Sequence, residues 1–160
     1  MIDHFADMFT GNFSAVPAPL AFARLTAACG LGALIGLERE WRQKPAGLRT
    51  HILVSVAACL FVIIGQELSA LEFGDAGEQR HDPLRMIEAV TAGVAFLAAG
   101  LIFTSKGEVR NVTTGASLWL AGAVGLGCGA GQIQLAGMAT VIVIVVLFAL
   151  RRIEQWMGTH

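Results

Sequence analysis

Five apolar runs, each long enough to cross a lipid bilayer, constrain this chain more than any other feature. A spanning helix needs about 20 predominantly apolar residues to cover the roughly 30 Å hydrocarbon core. Such runs lie near residues 18–37, 51–71, 86–103, 115–130 and 133–150. The fourth is short and glycine-rich, and only the turn "GCGAGQIQ" separates it from the fifth. Composition agrees: the chain is 55% hydrophobic and 14% charged, where a soluble domain carries about 25% charged residues. The expectation is an all-α transmembrane protein, a five-helix bundle forming one membrane domain, because no polar segment is long enough to fold separately.

Lysines and arginines orient the bundle. The first hydrophilic connection carries Arg39, Arg42, Lys44 and Arg49; the second Arg80 and Arg85; the third Lys106 and Arg110; and the tail Arg151 and Arg152. With the N-terminus outside and the C-terminus cytoplasmic, eight of the eleven basic residues fall on the cytoplasmic side. The net charge of -1 and the lack of a basic tract give no footprint for nucleic acid. Cys29, Cys59 and Cys128 sit inside apolar runs, an odd set that argues against a disulfide framework. The N-terminus lacks the basic region of a cleavable signal, so the first run is expected to remain as a span. Ahead of it, Ile2, Phe5, Met8 and Phe9 recur at helical spacing, suiting a short interfacial helix or a frayed terminus.

Lipid gives helices no hydrophobic reason to associate, so small residues must let them approach closely. Gly32 and Gly36 mark such a face on the first span, Gly93 and Gly100 on the third, and Gly125 and Gly129 on the fourth. Two glycine-rich hairpins with a peripheral, uniformly apolar fifth helix are the expected packing. The same stripes would serve a homodimer equally well.

The stretch "GLEREWRQKPAGLRTH" sets Glu38 and Glu40 at the C-terminal end of the first helix, where the dipole disfavours carboxylates. Arg42 follows Glu38 by four residues, a favourable pairing order. Arg49 and Thr50 open the second helix, and Arg110, Thr113 and Thr114 open the fourth. Two helix N-termini with hydroxyls and arginines make a candidate charge network or anion pocket. Within it, Glu40 is expected to bridge Arg49 or Arg110 and so fasten the two hairpins. Arg39, Lys44 and Lys106 are expected to be a solvated collar that sets topology.

Arg24, Glu67 and Glu88 lie near the opposite, outer ends of their spans. They define either an ion path or side chains that snorkel to the surface. Glu72, Asp75, Glu78 and Asp82 supply oxygen atoms suited to a hard cation, but their spacing matches no EF-hand, and a hydrated loop is the expectation. His81 fits a surface position as well as a ligand. No metal site, cofactor site, nucleotide loop or nucleophile–base set is read from the sequence, and no enzyme is expected.

"ALIGLEREWRQKPAGLRTHILV", "FLAAGLIF" and "VRNVTTGASLWLAGAVGLGCGAG" resemble the signature segments of the MgtC/SapB membrane protein family. Two departures stand out: Ala98 where relatives often have glycine, and "RNVTT" where "RGLTT" or "RGLNT" is usual. The resemblance implies a multi-pass protein of the bacterial inner membrane, associated with growth under magnesium limitation and, in pathogens, with survival inside host cells. It implies regulation of another membrane complex, such as the ATP synthase or another ATPase. With ten residues after Leu150, the chain resembles a short form without the soluble C-terminal domain of larger members. The competing readings are a small oligomeric ion or solute transporter using Arg24, Glu67 and Glu88, and a sensor of phosphate-like anions or lipid headgroups at the cytoplasmic pocket.

Overall fold

A computed structural model describes residues 15–70, 82–105 and 108–157. The expected interfacial helix around Ile2–Phe9, the acidic positions Glu72, Asp75 and Glu78, and Arg80, His81 and Lys106 lie outside the described residues. The elements in chain order are α1 (Ala18–Trp41), α2 (Leu48–Ala70), α3 (Pro83–Leu101), β1 (Phe103–Ser105), β2 (Glu108–Arg110), α4 (Val112–Gly129) and α5 (Ile133–Met157). All five helices are long and apolar enough to cross a membrane.

Local chemistry explains where the helices begin and end. Prolines sit in the first turns of α1 and α3, where no intrahelical N–H partner is lost. Asp82 caps α3 by accepting from the Leu84 N–H at 3.0 Å. α1 ends in a Schellman motif: Gln43 adopts a left-handed φ of 52°, its N–H donates to the Glu40 carbonyl, and the Lys44 N–H donates to the Arg39 carbonyl. α4 closes the same way, with Gly131 at φ 80° and the Gln132 N–H donating to the Gly127 carbonyl. Residues 102 and 103, expected at the end of the third span, instead leave the helix. Phe103 pairs with Arg110 in a two-stranded antiparallel hairpin that the apolar pattern did not announce.

α4 is the centre of the bundle. Over half of its spanning window is buried (56%), against 17% for α3 and 11% for α5. α1 and α2 are antiparallel neighbours: a Cβ on Gly32 would lie 2.9 Å from the His51 carbonyl oxygen, and one on Gly36 would lie 2.8 Å from Leu48 Cα. α2 and α4 run in the same direction, since His51 meets Ser117 while Cys59, further along, meets Gly129. A Cβ on Gly125 would run into the Ser55 carbonyl, and one on Gly129 would lie 2.7 Å from the Cys59 carbonyl oxygen. Glycine is needed there because backbone lies against backbone.

Gly93 and Gly100 do not pack as expected. Nothing lies within 4 Å of where their Cβ atoms would stand. The small surface at this contact belongs to α4: Val94 of α3 sits over Gly122, and Ile102 over Gly115. α3 turns Val94 and Ala98 inward and leaves its glycines outside. The inner unit is therefore α1, α2 and α4, with α3 and α5 both on the periphery. The buried apolar set Ala28, Ile35, Cys59, Ile63, Val124 and Cys128 forms its heart.

Candidate functional site

At the end of the bundle where α1 stops and α2 and α4 start, polar side chains are buried in place of apolar ones. Arg39 is only 2% exposed and Glu38 5%. Glu38 forms an ion pair with Arg42 Nε, one turn on, and its carboxylate lies 3.8 Å from Arg39 Nη1. The two guanidinium groups offset the unfavourable dipole at the helix end. Arg39 Nη2 donates to Thr114 Oγ1 at 2.9 Å, tying α1 to the first turn of α4. Arg42 continues outward, lying over the Phe148 ring and donating to the Leu147 carbonyl at 3.4 Å, so the same cluster also touches α5.

A second chain of contacts joins α2 to α4. His51, with no exposed surface, has Nδ1 2.8 Å from the Gly47 carbonyl and Nε2 3.1 Å from Ser117 Oγ. A carbonyl only accepts, so Nδ1 carries a proton toward Gly47, and Nε2 is the ring atom that meets the Ser117 hydroxyl. The Ser117 hydroxyl also faces the Thr114 carbonyl at 2.9 Å. It can donate to one of the two at a time. Ser55, also fully buried, donates to the Ala28 carbonyl at 2.9 Å and links α2 to α1.

Of the expected network, Glu38, Arg42 and Thr114 belong to this cluster, whereas Glu40, Arg49 and Arg110 do not converge. Glu40 Oε2 accepts from the Leu48 N–H at 3.0 Å. The turn built on Pro45 and Gly47 carries α2 back so tightly that the nearest donor is this backbone amide, and a Cβ on Gly47 would collide with the Glu40 carboxylate. An acid at the end of α1 is thus also an acid at the start of α2, where the dipole favours it. Arg49 is exposed and Thr50 half-buried. Arg110 sits at the end of β2, exposed beside Glu108 at 3.6 Å, because the hairpin holds it outside the bundle. Thr113 is exposed while its neighbour Thr114 is buried. Arg39, expected in the solvated collar, is the largest fully buried side chain among the described residues. His51 and Ser117 were overlooked. Their signal was a pair of polar residues inside runs that otherwise bury small and apolar ones.

The outer candidates also separate. Arg24 is half-buried; its Nη1 donates to Gln66 Oε1 at 2.9 Å and to the Gly129 carbonyl at 2.8 Å, neutralising the C-terminal end of α4. Glu67 Oε1 accepts from the Val16 N–H at 2.7 Å. Glu88 is exposed on α3. Arg24 and Glu67 tie chain segments together, and Glu88 faces outward on α3.

The MgtC family model matches residues 25–156. The chain belongs to the MgtC family. A Brucella abortus protein named Protein MgtC is 44% identical over 139 residues, covering 86% of this chain and 55% of its own length. An uncharacterised Synechocystis protein is 39% identical over 135 residues, covering 84% and 54%. Protein MgtC of Salmonella typhimurium is 38% identical over 131 residues, covering 82% and 52%. The chain spans about half the length of these relatives. No solved structure shows a significant match. Family and helices together make this a multi-pass bacterial membrane protein. Asn111 takes a left-handed φ of 65°, which glycine and asparagine tolerate best, and its Nδ2 donates to the Leu101 carbonyl at 3.1 Å.

Proposed function

We propose that this chain is a non-enzymatic protein of the bacterial inner membrane that supports growth under magnesium limitation by modulating another membrane complex, an ATPase being the leading partner class. The N-terminus is outside and the cluster end of the bundle, with Glu38, Arg39 and Arg42, is cytoplasmic. The observation that carries the reading is how the intramembrane polar groups are used. Arg39, His51, Ser55 and Arg24 all bond to neighbouring helices of the same chain. Transport would need ionisable groups facing a watery route. The outer faces instead expose large apolar side chains such as Phe22, Trp41 and Phe96, suited to lipid or to a partner's helices. The relatives' name supports the magnesium association.

The test pairs reconstitution with affinity purification. Liposomes holding only the purified protein show no labelled magnesium or proton flux, while the protein captured from magnesium-starved cells brings down a membrane ATPase subunit. Flux above that of empty liposomes contradicts the proposal and restores the transporter. Arg39→Met impairs growth in low magnesium only as far as it lowers the amount of folded protein in the membrane.

A further inference from the structure

The packing leaves one large apolar space without an owner. α3 lies against α4, and it also touches α2 at one end, where Met86 meets Gly65. Between α2 and α3 runs a groove of about 610 Å³, lined by Leu53, Ala57 and Phe61 on one side and Ala89, Gly93 and Leu97 on the other. Leu53, Phe61 and Leu97 are exposed rims, and a Cβ on Gly93 would stand in open space. In a bilayer such a slot is filled by hydrocarbon or by another helix.

Length and charge select between them. Leu53 and Phe61 are separated by about 12 Å along the helix axis at 1.5 Å per residue. That approaches the half-thickness of the hydrocarbon core, about 15 Å. The slot therefore matches one leaflet's acyl chain, whereas a spanning helix would need the full membrane depth, which the Met86–Gly65 contact interrupts. The polar end carries a cation: Arg49 stands one turn beyond Leu53, exposed and in no ion pair among the described residues. Thr50 lies one turn from Val54, on the groove floor. Glu40 already occupies the Leu48 N–H, so a phosphate at this end would be held by the Arg49 guanidinium rather than by the helix terminus.

We propose that the α2–α3 groove is a binding site for an anionic phospholipid, with one acyl chain along Leu53–Phe61 and Gly93 and the headgroup phosphate on Arg49. The inference stands apart from the proposed regulatory role and from the orientation of the bundle, because it needs only a leaflet that contains anionic lipid.

The experiment is native mass spectrometry of the full chain in detergent, titrated with phosphatidylglycerol and phosphatidylcholine of identical acyl chains. The expected result is tighter binding of phosphatidylglycerol, with Arg49→Gln losing about fivefold, to the level of phosphatidylcholine, as expected for one arginine at a headgroup. Ala57→Phe, which fills the groove from an exposed position, weakens both lipids alike; its melting temperature, compared with that of the parent, shows that it is folded. Inorganic phosphate at millimolar concentration displaces neither lipid. Unchanged phosphatidylglycerol preference in Arg49→Gln, or unchanged binding in folded Ala57→Phe, overturns the site. So does a Phe61→Cys variant that forms disulfide-linked dimers in membranes, which would give the groove to a second copy.

Discussion

Replacing Gly125 with alanine separates the packing found here from the packing that a count of glycines suggests. The added methyl would run into the Ser55 carbonyl of α2 and stand 2.8 Å from its carbon and 2.9 Å from Ala58 Cβ. Carbon atoms are comfortable at about 3.5–4.0 Å, so α2 and α4 must part by roughly 1 Å along a seam that also holds Gly129 against Cys59. Overpacking of this kind costs about 1–3 kcal/mol, and the upper end applies because the obstruction is backbone. Alanine's better helix propensity returns up to about 1 kcal/mol. The net is about 2 kcal/mol of destabilisation, near thirtyfold in the folded-to-unfolded ratio. Gly93→Ala meets open space and keeps only the propensity gain, so it stabilises by up to about 1 kcal/mol. Unfolding in mixed micelles, followed by circular dichroism, reads both variants. Equal effects of the same sign would refute the assignment of α4, rather than α3, as the close-packed helix.

Three further outcomes are expected in the same assay. Glu40→Ala removes the acceptor for the Leu48 N–H and costs about 1 kcal/mol, the worth of a helix cap. Asn111→Val forces a β-branched residue into a left-handed conformation and costs about 1–2 kcal/mol, whereas Asn111→Gly is close to neutral. Arg24→Met strands the Gly129 carbonyl and the Gln66 side chain for about 1–3 kcal/mol, and Arg24→Lys recovers only part of it, since a single ammonium does not reproduce the guanidinium fork.

The sequence showed the five membrane helices plainly, because runs of this length and hydropathy have few other folds available. Gly32, Gly36, Gly125 and Gly129 were legible as places where helices approach. Gly93 and Gly100 look identical to them in sequence; which helix supplies the small residue at the α3–α4 contact depends on rotation about the axis, which spacing alone does not reveal. The site was half legible. Glu38 with Arg42 follows from four-residue spacing, but Arg39 reads as one more loop cation until α4 is seen to bring Thr114 against it. Glu40 was drawn to the wrong partner because charge was matched with charge, whereas the turn after Pro45 offered a nearer backbone donor. The β1–β2 hairpin carries no strong pattern in three-residue strands, so only the fold discloses why Arg110 stays outside.

Glu38 and Arg39 form a buried pair, and Arg39 fixes α1 against α4 through Thr114. A double-mutant cycle in mixed micelles tests this directly. Glu38→Leu alone leaves two arginines facing each other beneath the surface and should cost about 3–5 kcal/mol. Arg39→Met costs less, because Glu38 keeps Arg42. Combining the two should restore much of the loss, leaving the double variant more stable than Glu38→Leu alone, with a coupling above about 1.5 kcal/mol. Additive effects within about 0.5 kcal/mol, each small as for solvated surface charges, would contradict the claim.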